Sequence, residues 1–284
     1  MTKKQIFAAL AISCALAGCG GGGTVPGVPP VPPAPVTTTT AFGVEVHPGD
    51  ALSTSQTALA DMRKNLGVTT IRTDYSPTQF SYGWVANAIA AGLKMVMITP
   101  YLAIGAPFDP TGYAAICAQG AAQFPGQTWE IMNEPDNEVP LNEQQITPAQ
   151  YVTLVQAVVP AIRAADPTAK IITGGTSGLD MGWLTAIAAA YPLVDGVGVH
   201  PYGIAPNGMA QAIAQAQSVT GGKPVYLSEW GLAAPPSGSI ATAVSSAKGR
   251  TPLFVYYEYR TQPGEPSFGL VGTPGYAEYQ SAIR

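Results

Sequence analysis

From residue 41 onward, short runs rich in β-branched and aromatic residues alternate eight times with stretches of helical periodicity. That alternation marks βα units feeding a parallel sheet, because parallel neighbours need a long crossover and a helix commonly supplies it. Strands are expected over Phe42–His47, Val68–Thr73, Met95–Thr99, Trp129–Met132, Lys170–Thr173, Val194–His200, Val225–Ser228 and Leu253–Tyr257. Helices are expected over Ser53–Asn65, Trp84–Ala91, Tyr113–Phe124, a stretch opened by Thr147-Pro148-Ala149-Gln150, Trp183–Ala190, Met209–Ser218, Ile240–Ala247 and Tyr276–Ile283. The fourth of these has capping-box spacing with proline at its first helical position. Residues 41–284 thus have the size and order of one α/β unit, a single (β/α)8 TIM barrel.

The first forty residues read as an address. Met1–Cys19 has a basic start (Lys3, Lys4), an apolar stretch over Ile6–Leu16 and the close Leu16-Ala17-Gly18-Cys19, which predicts a signal peptide over residues 1–18. Its end resembles a bacterial lipobox, which implies lipidation of Cys19; the bland alternative is an ordinary cleaved signal with an incidental cysteine. Residues 19–40, with their runs of Gly, Pro and Thr, predict a flexible and partly extended tether. Gly20 after the cysteine resembles the outer-membrane default, so the chain is expected to be lipid-anchored to a bacterial membrane or the cell surface. Cys117, in YAAICAQGAA, is expected to be a buried helix residue with no disulfide partner in the barrel.

Net charge is −4 with 11% charged residues and no basic patch, which argues against a nucleic-acid partner. Two histidines and no clustered cysteines give little from which to build a transition-metal site, and no cofactor is expected. Gly174-Gly175-Thr176 has the wrong spacing for a phosphate loop and is read as a tight turn. A monomer is the default.

In a parallel barrel the carboxyl ends of all strands meet on one rim, where reactive groups gather. Pro135 cannot donate to a sheet ladder, so the fourth strand should stop there and leave Asn133-Glu134 at its tip. Glu229 stands at the tip of the seventh strand, Arg72 at the second, His200 with Tyr202 at the sixth, and His47 at the first. Two glutamates on two strand ends suggest a carboxylate pair that cleaves a glycosidic bond. The set Arg72, Asn133-Glu134-Pro135, His200-Pro201-Tyr202 and Ser228-Glu229-Trp230 resembles the retaining glycoside hydrolases of clan A, including families five and thirty-nine. The resemblance implies a (β/α)8 barrel, double displacement, and Glu134 and Glu229 as the carboxylate pair.

Charge assigns the roles. A nucleophile must stay ionised, and Arg72 and the Tyr202 hydroxyl are expected to converge on Glu229. Glu134 then serves as acid/base, with His200 beside it, while Asn133 meets the sugar 2-hydroxyl. Trp230 and Tyr101 are expected to offer stacking faces, and His47 to touch substrate. Each has a plainer alternative: a loop acid or rim acid for the glutamates, a partner for Glu45 or Asp74 inside the barrel for Arg72, core histidines for His47 and His200. Tyr256, Tyr257 and Tyr259 are read as packing rather than subsite.

The chain departs from the family at Thr99-Pro100-Tyr101, where many members carry histidine, and at Phe254–Tyr259, which lacks the tryptophan of many members. Short βα loops are expected to leave an open groove. The reading is therefore a retaining, endo-acting β-glycoside hydrolase working on a cell-surface or extracellular polysaccharide. The alternatives are a non-catalytic carbohydrate-binding lipoprotein on the same scaffold and a structural surface lipoprotein without ligand.

Overall fold

A computed structural model describes residues 38–78, 81–137, 145–264 and 266–284. The expected signal peptide, Cys19 and most of the tether lie outside the described residues. The strands are β1 Ala41–Glu45, β2 Thr70–Asp74, β3 Lys94–Ile98, β4 Thr128–Ile131, β5 Lys170–Thr173, β6 Thr176–Ser177, β7 Val197–His200, β8 Val225–Trp230 and β9 Leu253–Tyr256. The helices are α1 Gln56–Ala60, α2 Gly83–Ala90, α3 Pro110–Gln123, α4 Pro148–Ala165, α5 Met181–Ala186, α6 Met209–Val219, α7 Ser239–Ala247 and α8 Pro274–Ile283.

All the strand pairings of the sheet are parallel, in the order β5-β4-β3-β2-β1-β9-β8-β7-β6. The two-residue β6 is the continuation of β5 after a break at Gly174-Gly175, and it pairs with β7 through Thr176–Val199 and Ser177–His200. Below the break β5 meets the chain entering β7: Ile172 bridges Gly196, and Thr173 N donates to Gly196 O at 3.2 Å. Counting β5 and β6 as one stave, the sheet closes into the eight-stranded barrel that the sequence predicts.

Each helix buries one face against the sheet. In α4 the Thr147 hydroxyl accepts from Gln150 N at 3.2 Å while the Gln150 amide oxygen accepts from Thr147 N at 2.9 Å, a complete capping box. Tyr151, Leu154, Val155, Val158 and Ile162 of α4 are then buried on one side, as the 3.6-residue period requires. Thr38 N and the Thr40 hydroxyl donate to the carbonyls of Gly249 and Thr251 at 3.1 and 2.7 Å, so residues 38–40 of the expected tether are held against the barrel.

Three local departures matter. The expected helix Ser53–Asn65 divides into α1 and a wider π-helical stretch, Asp61–Leu66. Strand β8 continues to Trp230, so Glu229 sits within it instead of just beyond it. The rim connections are also not uniformly short: those after β4 and β9 run over residues 132–147 and 257–273.

Candidate active site

The upper interior of the barrel is polar, and Arg72 is its centre. Its guanidinium has no exposed surface. Nε donates to Glu130 Oε2 at 2.7 Å, and Nη1 donates to Glu45 and to Glu229 Oε2, the latter at 2.6 Å. Nη2 donates to Asn133 Oδ1 at 2.7 Å and lies 3.3 Å from His200 Nε2. Register explains the gathering: Glu45 and Arg72 are direct neighbours across β1 and β2, and side chains at alternate positions share the barrel interior. Arg72 was expected among substrate-binding residues, but full burial behind the carboxylates corrects that to a positioning residue.

Glu130 is the member that the sequence reading missed. It has no exposed surface, and beyond Arg72 its Oε1 accepts from the Ser228 hydroxyl at 2.9 Å and Gly175 N at 2.8 Å. The available signal was a carboxylate between Trp129 and Ile131 in an otherwise apolar strand, where burial demands a cationic partner. Burial acts against its ionised form, but Arg72 and His200 outweigh that and hold its pKa at about 2. Glu45 goes the other way: burial dominates, Glu229 adds repulsion, and its pKa is pushed up to about 8 despite Arg72.

Glu229 lies at the mouth, with Oε1 accepting from the Tyr202 hydroxyl at 2.7 Å and Oε2 from Arg72. Burial favours its proton, yet His200, Arg72 and the Tyr202 hydrogen bond together carry its pKa below the usual carboxylate value. His200 is fully enclosed. Its Nδ1 lies 3.1 Å from Glu134 Oε1 and 4.0 Å from Glu229 Oε2, and its Nε2 lies 3.5 Å from Glu130 Oε1. Burial disfavours the charged ring, but Glu229, Glu130 and Glu134 prevail and raise its pKa to about 10.

Glu134 reaches the mouth through an unusual turn. After β4 ends, Met132 and Glu134 take φ of 64° and 42°, left-handed values that cost non-glycine residues ~1–3 kcal/mol each. The turn is fastened by Met132 N donating to the Thr99 hydroxyl at 2.8 Å and Glu134 N donating to Gly175 O at 3.0 Å. It fits because of the glycine pair: a Cβ on Gly174 would lie 2.5 Å from Met132 O, and one on Gly175 would lie 2.1 Å from His200 Nε2. Glu134 Oε2 accepts from Asn137 Nδ2 at 3.2 Å. Asn133, its Oδ1 taken by Arg72, has its amide nitrogen left as the donor for a ligand.

On the other side of the mouth, His47 stands between Asp74 and Glu258, with Nδ1 at 3.7 Å and Nε2 at 3.3 Å from their carboxylates. Burial opposes its charge, but those two carboxylates overcome it and raise its pKa to about 11. Tyr101 is 40% exposed and donates its hydroxyl to Asp74 Oδ1 at 2.7 Å. Trp230 is placed elsewhere. It is fully buried, its ring 5.8 Å from that of Phe254 and 6.1 Å from that of Tyr256, so the expected stacking face is corrected to a core position. Tyr256 and Tyr259 are buried too, and Cys117 is a buried free thiol.

One ligand atom each from Glu134, His200 and Glu229 lie within 4.8 Å of one another, a separation a metal ion would accept. The chemistry of that set suits a metal poorly, since Arg72 and Tyr202 already hydrogen-bond both oxygens of Glu229 and His200 is raised towards its cationic form. The arrangement can instead place an ionised carboxylate, held by a cation and a hydroxyl, opposite a second carboxyl group across one small gap.

Residues 109–249, from the start of α3 to just past α7 and spanning both glutamates, match the family described as cellulase (glycosyl hydrolase family 5). Its parallel α/β barrel is the fold also found in solved glycoside hydrolases of families 5 and 30. Solved structures with the same fold include a glycoside hydrolase family 5 subfamily 18 protein from Streptomyces cattleya (TM-score 0.66, 15% identity, covering 87% of this chain and 80% of that one). A family 30 subfamily 8 xylanase from Clostridium acetobutylicum superposes with TM-score 0.62 at 17% identity over 87% of this chain and 72% of its own. An endo-1,4-β-mannanase from Rhizomucor miehei gives TM-score 0.61 at 13% identity over 86% and 95%. At such identities the likeness is one of fold. Among curated proteins none matches the chain.

Proposed function

We propose that this protein is a glycoside hydrolase, a retaining β-glycosidase that cleaves by double displacement, with Glu229 as nucleophile and Glu134 as acid/base. The observation that carries the reading is the carboxylate separation: one oxygen of Glu134 and one of Glu229 lie within 4.8 Å. Retaining enzymes hold their carboxyl groups ~5–5.5 Å apart, because one attacks the anomeric carbon directly; inverting enzymes leave ~6.5–9.5 Å for a water. In the first step Glu229 Oε attacks the anomeric carbon as Glu134 gives its proton to the departing oxygen, leaving a glycosyl ester on Glu229. In the second step Glu134, now ionised, takes a proton from water, and that water displaces Glu229 from the same face on which the leaving group departed. Arg72 and Tyr202 keep Glu229 ionised before attack. The Asn133 amide nitrogen can donate to the 2-hydroxyl, a contact that strengthens as oxocarbenium character develops.

The substrate class is a β-linked polysaccharide, cut within the chain. Support comes from the xylanase and the mannanase among the structural neighbours, and from rim groups spread from His47 to Tyr202 around the mouth. Cys19 gives the address: a lipid anchor on a bacterial membrane, with the tether holding the barrel towards polymer at the cell surface or beyond it. Proton NMR of the first product released from an aryl β-glycoside tests the mechanism. A β-anomer appearing first is expected; an α-anomer appearing first would overturn retention.

A further inference from the structure

A cleft of about 610 Å³ opens between the first and last βα units, outside the catalytic mouth. Leu52, Ala58 and Asp61 line one side, and Tyr259, Arg260 and Tyr276 the other. Leu52 lies in the connection after β1 and Arg260 in the connection after β9, so both belong to the rim that carries Glu134 and Glu229. The wall between cleft and mouth is thin. Tyr259 N donates to Glu45 O at 3.0 Å, and the Glu45 carboxyl group is bound to Arg72.

Three properties of the cleft point to a sugar polymer. First, its aromatic residues are fixed: Asp61 Oδ2 accepts from the hydroxyls of both Tyr259 and Tyr276 at 2.8 Å, and Asp61 Oδ1 accepts from Asn65 Nδ2 at 2.8 Å. Second, Arg260 Nε is buried without a hydrogen-bond partner among the described residues, a donor in want of an acceptor. Third, Leu52 stands 65% exposed beside these groups, an apolar surface with nothing over it. A sugar ring offers the complement of all three, with a face of C–H bonds for Leu52 and Tyr276 and ring-edge oxygens that accept from a guanidinium. The π-helical stretch Asp61–Leu66 supplies Asp61 at its first position, and such widened turns recur at binding sites.

We infer that this cleft is an accessory binding site for the polysaccharide substrate, holding a stretch of chain beyond the part that lies over the carboxylate pair. The inference rests on the glycosidase reading for the identity of the polymer, though not on the mechanism. Its role is to keep the enzyme on the polymer, so it adds affinity for long chains and nothing for a substrate that occupies the mouth alone.

The test uses the full chain carrying Glu229→Gln, so that polymer remains intact, in affinity electrophoresis through gels containing hydroxyethyl cellulose, glucomannan or xylan. Leu52→Asp and Arg260→Ala are added singly; Leu52 is exposed enough that its replacement leaves folding untouched. Expected is at least a tenfold loss of polymer affinity in each. In the active enzyme the same changes should lower kcat/KM on that polymer while an aryl glycoside is hydrolysed as before. Tyr276→Phe, which keeps the ring, should retain affinity, and Tyr276→Ala should lose it. Unchanged affinity in both Leu52→Asp and Arg260→Ala overturns the inference, as does failure of the parent to bind any of the three polymers. A parent that binds, loses binding with the cleft variants, yet hydrolyses nothing before Glu229 is replaced would sustain the cleft and sink the glycosidase reading.

Discussion

Arg72 Nη1 donates to Glu229 Oε2 at 2.6 Å from a guanidinium with no exposed surface. The same nitrogen is bonded to Glu45, and Nε to Glu130, so one cation serves three buried or nearly buried carboxyl groups. The two readings of Arg72 that the sequence left open, structural and functional, are therefore one.

Arg72→Met should abolish turnover and destabilise the fold together. Removing one partner from a buried ion pair leaves the others uncompensated, typically at ~3–5 kcal/mol. Urea unfolding and kcat on an aryl glycoside measure the two losses. A variant that loses one and keeps the other would show that Glu229 and the network are uncoupled.

The two glutamates should respond differently to alanine. Glu229→Ala removes the proposed attacking group and should be inactive, with azide restoring turnover and giving an inverted glycosyl azide. Glu134→Ala should retain activity on substrates with good leaving groups, which need little protonation, and azide should give the retained product. An exchange of the two stereochemistries would reverse the assigned roles.

Gly175→Ala should cost activity without touching substrate. The new Cβ would lie 2.1 Å from His200 Nε2, so the ring has to shift and its Nδ1 contact with Glu134 is disturbed. A loss of ~1–3 kcal/mol in stability is expected from overpacking, and with it a fall in kcat larger than any change in KM. Unchanged kcat would mean that the Nδ1–Glu134 contact of 3.1 Å is dispensable.

Stability should peak on the acid side of neutrality. Glu45 is raised from 4.5 to about 8, chiefly by burial, so the folded chain keeps a proton that the unfolded chain releases, and stability falls with rising pH across that window. His200, raised from 6.5 to about 10, contributes stability that is whole below 6.5 and lost as pH rises through 10. Burial works against it, and Glu229 leads the groups that prevail. Glu130, lowered to about 2 by Arg72 and His200 against burial, contributes stability present above 4.5 and lost as pH falls through 2. Within its window each such proton is worth ~1.4 kcal/mol per pH unit. Melting temperature should therefore decline from pH 6.5 to 10, and His200→Gln should flatten the decline; a rise over that range would contradict the network.

Cys19→Ser should leave unprocessed precursor or a form without lipid, since the cysteine is the proposed lipid acceptor in Leu16-Ala17-Gly18-Cys19. Fractionation and N-terminal sequencing decide the point. A wild-type protein found soluble and starting elsewhere would remove the anchor and leave the barrel as it is.

The barrel was legible because its signals are local. Eight alternations of strand and helix period force a parallel sheet, and Thr147 with Gln150 announces α4; Pro135, expected to end the fourth strand, instead follows a turn that begins at Met132, after β4 has stopped at Ile131. Trp230 was not legible: a register shift in β8 between Leu227 and Trp230 lets both Ser228 and Glu229 reach the interior network, so alternation along the strand does not say which way Trp230 faces. What the tertiary structure alone decided is which groups share a proton or a cation. Glu45, Arg72, Glu130, His200 and Glu229 come from five different strands, and only ring closure and register bring them together around one guanidinium. Likewise Gly174 and Gly175 read as a tight turn, while their small size is required by Met132 and His200, which approach from other parts of the chain. Side-chain periodicity along one strand says which way a residue points. It carries no distance to a residue dozens of positions away, and the ionisation of this site depends on those distances.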